Sequence, residues 1–218
     1  DYLQSGDTYF ILMEFCQGGS VDELVRREGG RLSLNLATHI ILQVLEGLHY
    51  THNAQVVATL KNGETQVANG VVHRDLKPAN IFLSDNSSHP VAKVADFGLA
   101  KTFETAGLSG HTRTGDVSGS ALFMPRQQII NYRYAKPDVD VWAAAASYYY
   151  MLTGSYPKAF LGEDIFSAAL KNLPVPIDER NAGIPKKLAE VIDAALVEIP
   201  HIGIDSAWEL KTRIENAL

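Results

Sequence analysis

The chain alternates between short β-forming runs and long helical periods. Residues 9–15 form a dense run of aromatic and aliphatic residues that ends at Gly18-Gly19, and they predict a strand followed by a linker. Ser20 with Glu23 three residues on has the form of a capping box, which predicts a short helix to about Arg27. Apolar residues at Leu34, Ala37, Ile40, Ile41, Val44, Leu45 and Leu48 line one face of a long helix over 34–50. Residues 53–69 break that period and predict an inserted loop or hairpin, with weak strands at 55–60 and 65–68 around Asn62-Gly63. Short strands are predicted at 71–72, 81–83 and 92–94. Residues 99–120 are rich in Gly, Ser and Thr, hold no period, and predict a loop. Helical stretches follow near 126–131, 137–153, 164–170, 186–196 and 206–217. A few short strands followed by many helices imply an α+β fold that is mainly α.

Composition narrows the class. The chain has 218 residues, 46% hydrophobic and 20% charged, which suits a globular domain with an ample core. Its net charge is −6 and it holds no long Lys/Arg run, so no nucleic-acid partner is expected. A single cysteine, Cys16, excludes an internal disulfide and fits a reducing compartment, so a cytoplasmic location is expected. The apolar run 141–152 is too short to span a bilayer and reads as a buried helix, leaving no membrane segment in this chain. No signal peptide or initiating methionine is visible, which predicts a piece of a longer parent, and that parent could carry an anchor elsewhere.

The chemistry concentrates in His73-Arg74-Asp75-Leu76-Lys77-Pro78-Ala79-Asn80 and in Asp96-Phe97-Gly98. An acid, a base and a carboxamide within six residues, on a loop stiffened by Pro78, form a set that phosphoryl transfer can use. A carboxylate (Asp75) can orient a hydroxyl and accept its proton. A lysine (Lys77) can neutralise charge on the transferred group. An amide oxygen (Asn80) and a second carboxylate (Asp96) are hard ligands suited to magnesium. Taken singly, each residue is more simply a solvated turn or a core side chain; the ordered set is what points to chemistry.

On these motifs the chain resembles the eukaryotic-type (Hanks-type) serine/threonine protein kinases, most like those of bacteria, from the hinge onward. The resemblance implies a protein-kinase-like large lobe over 17–218, with 1–16 as the last small-lobe strand and the hinge, and with an activation segment at about 96–127. It implies ATP and Mg2+ as cofactors and a protein substrate. Asp75 would be the base, Lys77 would contact the phosphate, and Asn80 and Asp96 would hold magnesium. Arg74 would pair with a phosphate on the activation segment, with Thr112 and Thr114 as the favoured sites. Met13, Glu14, Cys16, Ser20, Ala79 and Phe82 would surround the nucleotide, Met13 as gatekeeper, Ser20 at the ribose and Phe82 as the adenine floor. His73, Phe97, Gly98 and Asp140 would be structural, Asp140 holding the catalytic-loop backbone.

The chain departs from the family pattern in two main places. Ahead of the hinge there is no Gly-x-Gly-x-x-Gly, no strand lysine and no partner glutamate. The small lobe is therefore expected to be largely missing, to be supplied by the parent chain, and the isolated chain is expected to be inactive. Where the family carries a glutamate, Gln127 stands, and Gly203 occupies the position of its arginine partner. Losing both partners would avoid stranding a buried charge, a penalty of about 3–5 kcal/mol. The competing reading is a pseudokinase or truncated interaction module. A small-molecule phosphotransferase of related fold is a third.

Overall fold

The computed structural model describes residues 2–5, 8–59, 65–97, 119–132, 135–160, 162 and 164–218. In chain order its strands are β1 (Tyr2–Ser5), β2 (Thr8–Ile11), β3 (Gly19–Ser20), β4 (Gln55–Thr59), β5 (Thr65–Asn69), β6 (Ile81–Leu83) and β7 (Ala92–Val94). Its helices are α1 (Val21–Arg27), α2 (Leu34–Asn53), α3 (Arg126–Ile130), α4 (Asp138–Thr153), α5 (Ile165–Lys171), α6 (Ile177–Arg180), α7 (Lys186–Ala195) and α8 (Ala207–Ala217), with a 3-10 turn at Pro78–Asn80. The strands form antiparallel pairs β1-β2 and β4-β5 and a small sheet ordered β3-β6-β7.

The helix boundaries follow local chemistry. Ser20 accepts from the Glu23 amide while the Glu23 carboxylate accepts from the Ser20 amide, so the capping box starts α1 as expected. Ser33 and Ser206 cap α2 and α8 in the same way, each through its side-chain oxygen. Gly154 ends α4 at φ 69°, and a Cβ there would lie 2.3 Å from the Gly30 carbonyl oxygen, so both conformation and space require glycine.

The core is built around α4. A helix that is apolar on every side belongs in an interior, and Val141, Trp142, Ala144, Ala146, Tyr148 and Tyr149 are all fully buried. The apolar stripe of α2 (Ile40, Ile41, Val44, Leu45, Leu48) packs against it, and α7 and α8 close the far side. Thr38 and Tyr148 share a buried 2.6 Å hydrogen bond between α2 and α4, and burial pushes the Tyr148 hydroxyl up to about 12.

The structure differs from the sequence reading at a few elements. The first strand stops at Ile11, and residues 12–16 hold no regular secondary structure. Its partner β1 was not anticipated, although Ser5 pairs with Thr8 across Gly6-Asp7, a two-residue hairpin signal. Residues 71–72 are not a strand: the Val71 amide donates to the Thr51 carbonyl at the end of α2, and Val72 packs on the core. The insert is a hairpin, β4-β5, whose return at Gly70 closes within reach of the His52 and Ala54 carbonyls. The short helix α6 was also unanticipated.

A further correction concerns the supposed missing ion pair. The place is not uncharged. Lys158 Nζ lies 2.7 Å from Glu198 Oε1, with both side chains at most 2% exposed. Lys158 also donates to the Ala169 carbonyl at 2.6 Å. Burial pushes the Lys158 ammonium below the ordinary lysine range, and Glu198 opposes that shift. Gly203 cannot host the arginine, because a Cβ there would stand 2.5 Å from the Ala194 carbonyl oxygen. Removing one partner strands the other, so Glu198→Ala is expected to cost about 3–5 kcal/mol of stability, whereas the apolar pair Lys158→Met with Glu198→Leu recovers most of that loss. Urea unfolding of the two variants beside the wild type measures the difference.

Candidate active site

Two loops meet at the site, 72–80 after the hairpin and 95–97 after β7. A buried carboxylate lies beneath the first. Asp140, 1% exposed in the first turn of α4, accepts the His73 amide at 2.7 Å on Oδ2 and the Arg74 amide at 2.8 Å on Oδ1. His52 Nε2 lies 2.8 Å from Oδ2. A carboxylate can only accept, so Nε2 carries the proton. Three donors thus converge on one buried anion.

His73 joins the two loops. Its Nδ1 accepts the Asp75 amide at 3.2 Å, and its Nε2 donates to the Ala95 carbonyl at 2.9 Å. An amide can only donate and a carbonyl only accept, which assigns the neutral Nε2–H tautomer. The Phe97 ring packs 4.5 Å from the same imidazole, tilted by 44°. The Ala95 amide returns the link by donating to the Asn80 carbonyl at 3.0 Å.

Backbone strain sits beside both acids. Arg74 and Asp96 are the non-glycine residues at positive φ among the described residues, 64° and 62°. Such residues cost roughly 1–3 kcal/mol each and persist only where their surroundings over-determine them. Arg74 is so held: its amide is bound by Asp140 and its carbonyl accepts from the buried Gln128 side chain.

These constraints turn the Asp75 carboxylate to a defined use. Asn80 Nδ2 donates to the Asp75 carbonyl at 2.8 Å and to Asp75 Oδ2 at 3.2 Å, and Lys77 Nζ lies 3.3 Å from the same oxygen. Asp75 Oδ1 is buried and has no hydrogen-bond partner. Lys77 also donates to Ser120 Oγ at 2.7 Å, joining the catalytic loop to the residues ahead of α3. Arg74 Nε is likewise buried without a partner, a free donor beneath the loop. Because its amide nitrogen is committed to Asp75, Asn80 has its carbonyl oxygen left for a cation, and Asp96 follows Ala95 on the joined loop.

Beside these residues lies a cleft of about 470 Å3, lined by Met13, Glu14, Cys16, Glu23, Phe82 and Lys93 among others. Lys93 Nζ donates to the Glu14 carboxylate at 2.6 Å across its front, and that bond raises the Lys93 ammonium above its ordinary range. Met13, Glu14, Cys16 and Phe82 thus share one cleft. Ser20 and Ala79 are not among the lining residues: Ser20 is buried as the cap of α1, and its neighbour Glu23 faces the cleft instead. Gly98, Thr112 and Thr114 lie outside the described residues.

A sequence profile of the protein kinase domain matches residues 1–196. The chain belongs to the protein kinase family. Among its curated relatives is the serine/threonine-protein kinase PknL of Mycobacterium tuberculosis, 30% identical over 203 residues, covering 92% of this chain and 45% of PknL. PknA of the same species is 29% identical over 195 residues, covering 89% and 39%. PknB of Mycolicibacterium smegmatis is 29% identical over 212 residues, covering 95% and 30%. The chain therefore spans less than half the length of these kinases. Among solved structures, the Rad53 kinase domain with SCD2, crystallised with AMPPNP, superposes with a TM-score of 0.69 at 20% identity over 98% of this chain and 70% of that one, which shows a kinase fold.

The sequence reading missed His52, Gln128, Lys158 and Glu198. His52 was traceable, since it follows Leu48 by four residues on the buried face of α2. Lys158 and Glu198 are each lone charges inside apolar pentapeptides, Tyr156–Phe160 and Leu196–Pro200, a pattern that invites pairing. Asp140→Ala would strand the three donors at about 1–3 kcal/mol each. It is expected to lower stability by about 3 kcal/mol or more and to deprotect the His73 and Arg74 amides, as read by urea unfolding and hydrogen exchange.

Proposed function

We propose that this chain is the large-lobe half of a serine/threonine protein kinase, transferring the ATP γ-phosphoryl group to a protein hydroxyl. The observation that carries the reading is the partly exposed Asp75 carboxylate, whose Oδ2 is held by both Lys77 and Asn80. An acceptor hydroxyl donates to this carboxylate, and Asp75 takes its proton as the oxygen attacks the γ-phosphorus and ADP leaves. Lys77 faces the charge on the transferred group. Asn80 and Asp96 fit a magnesium ion, which takes one or two protein oxygens along with phosphates and supplies charge neutralisation there. Adenine would fit the cleft lined by Met13, Cys16 and Phe82. Asp75, Lys77, Asn80 and Asp96 are all present, which speaks against the pseudokinase alternative.

Several features support the notion of half a site. The apolar side chains of Phe10, Leu12, Met13 and Phe15 are 53%, 68%, 62% and 84% exposed, which suits burial under further chain. The 218 residues hold neither a glycine-rich phosphate loop nor a strand lysine ahead of the hinge. Phosphates on this lobe alone face water, where preorganised charges lose most of their effect. The unpartnered Arg74 Nε supports pairing with a phosphorylated loop residue, Thr112 or Thr114 in this proposal. No helix among the described residues is long and apolar enough to cross a membrane. The single free cysteine supports a reducing, cytoplasmic setting.

The test is phosphotransfer from ATP to a basic serine/threonine peptide with magnesium. The longer parent protein is expected to turn over and the 218-residue chain is not. Asp75→Asn in the parent is expected to lower kcat by about 10²–10⁴-fold. Robust turnover by the isolated chain, or an Asp75→Asn parent of undiminished rate, would overturn the reading.

A further inference from the structure

Glu198 is the one acidic side chain in a small buried junction of two cations. Its Oε1 pairs with Lys158 and its Oε2 accepts the Arg126 amide at 2.7 Å. Its backbone carbonyl accepts from the Gln127 side chain. The two cations are further tied to the end of α5, where a helix exposes unsatisfied carbonyls and favours positive charge. Lys158 Nζ donates to the Ala169 carbonyl and Arg126 Nη1 to the Leu170 carbonyl, both at 2.6 Å. Lys158 also stands 5.2 Å over the Trp142 ring, whose indole N–H donates to the Leu196 carbonyl at 3.0 Å. The loop bearing Glu198 is thereby fixed to the central helix.

The residues that Glu198 holds are not remote from the chemistry. Ser120, six residues before Arg126, accepts from Lys77, and Gln128, two residues after it, donates to the Arg74 carbonyl. The stretch 120–128 is bound to the catalytic loop through Ser120 and Gln128 and to the Lys158–Glu198 pair through Arg126 and Gln127. Through Lys77, which touches both Ser120 and the Asp75 carboxylate, this stretch borders the place where an acceptor hydroxyl would sit.

We propose that Glu198, with Lys158 as its counter-charge, is a positioning residue that sets where segment 120–128 presents the acceptor peptide. The inference rests on the kinase reading for its substrate, but not for its geometry. The stretch cannot supply this anion itself, since residues 120–128 include no Asp or Glu. Glu198 reaches in from the opposite side, from the loop after α7.

Two double variants separate anchoring from folding. Lys158→Met with Glu198→Gln removes both charges and keeps an amide oxygen for the Arg126 amide. Lys158→Met with Glu198→Leu removes that acceptor as well. In the 218-residue chain, hydrogen exchange at Arg126–Gln128 is expected to rise about tenfold or more in the leucine variant, to stay near wild type in the glutamine variant, and to leave α2 and α4 unchanged in both. In the longer parent, the leucine variant is expected to raise peptide KM about tenfold with ATP KM and kcat little altered, and the glutamine variant to restore it. Wild-type exchange and wild-type peptide KM in the leucine variant would overturn the proposal. So would a parallel loss of ATP and peptide affinity in both variants, which marks a merely structural pair. A wild-type parent that transfers no phosphoryl group defeats the kinase reading, while the exchange result still decides the anchoring.

Discussion

One buried carboxylate organises the catalytic half of this lobe. Asp140 is held at the start of the central helix, and its two oxygens take the only acceptor positions offered to the His73 and Arg74 amides and to His52. A buried anion is tolerated when donors surround it, and each donor is tolerated because the anion is there. The catalytic loop therefore does not choose its conformation locally. It takes the one that α4 and α2 impose, including a left-handed backbone at Arg74 that its own sequence would disfavour.

From that fixed point the geometry propagates through hydrogen bonds of assigned direction. His73, pinned by its amide, spends one ring nitrogen on Asp75 and the other on Ala95, so the loops carrying Asp75 and Asp96 move as one body. Asn80 and Lys77 then take one oxygen of Asp75, and the other is buried without a partner. Preorganisation of this kind lowers the reorganisation cost of placing charge there.

A second buried charge, Glu198, ties segment 120–128 to the loop after α7. The junction under segment 120–128 needs an anion because Lys158 and Arg126 both end there on the carbonyls of α5. The chain meets that need from the loop after α7. Gln127 and Gly203 carry no charge there, and Lys158 and Glu198 supply the pair instead.

Local signals carried far in this protein. Capping residues Ser20, Ser33 and Ser206, the stripe of α2 and the mostly apolar α4 made the helices legible, because a helix is specified by residues within a few positions of one another. The cluster of Asp75, Lys77 and Asn80 was legible for a related reason, since the three lie within six residues of one another. What the linear chain could not display were the partners across it. His52 beneath Asp140, Gln128 on the Arg74 carbonyl, Glu198 against Lys158 and Glu23 at the cleft in place of Ser20 depend on which helices pack together. Their energies arise from burial and from converging donors. Residue types and motifs were thus decided by the sequence, and the tertiary structure alone decided which charges are buried, which oxygen of Asp75 is free, and what holds the segment that faces it.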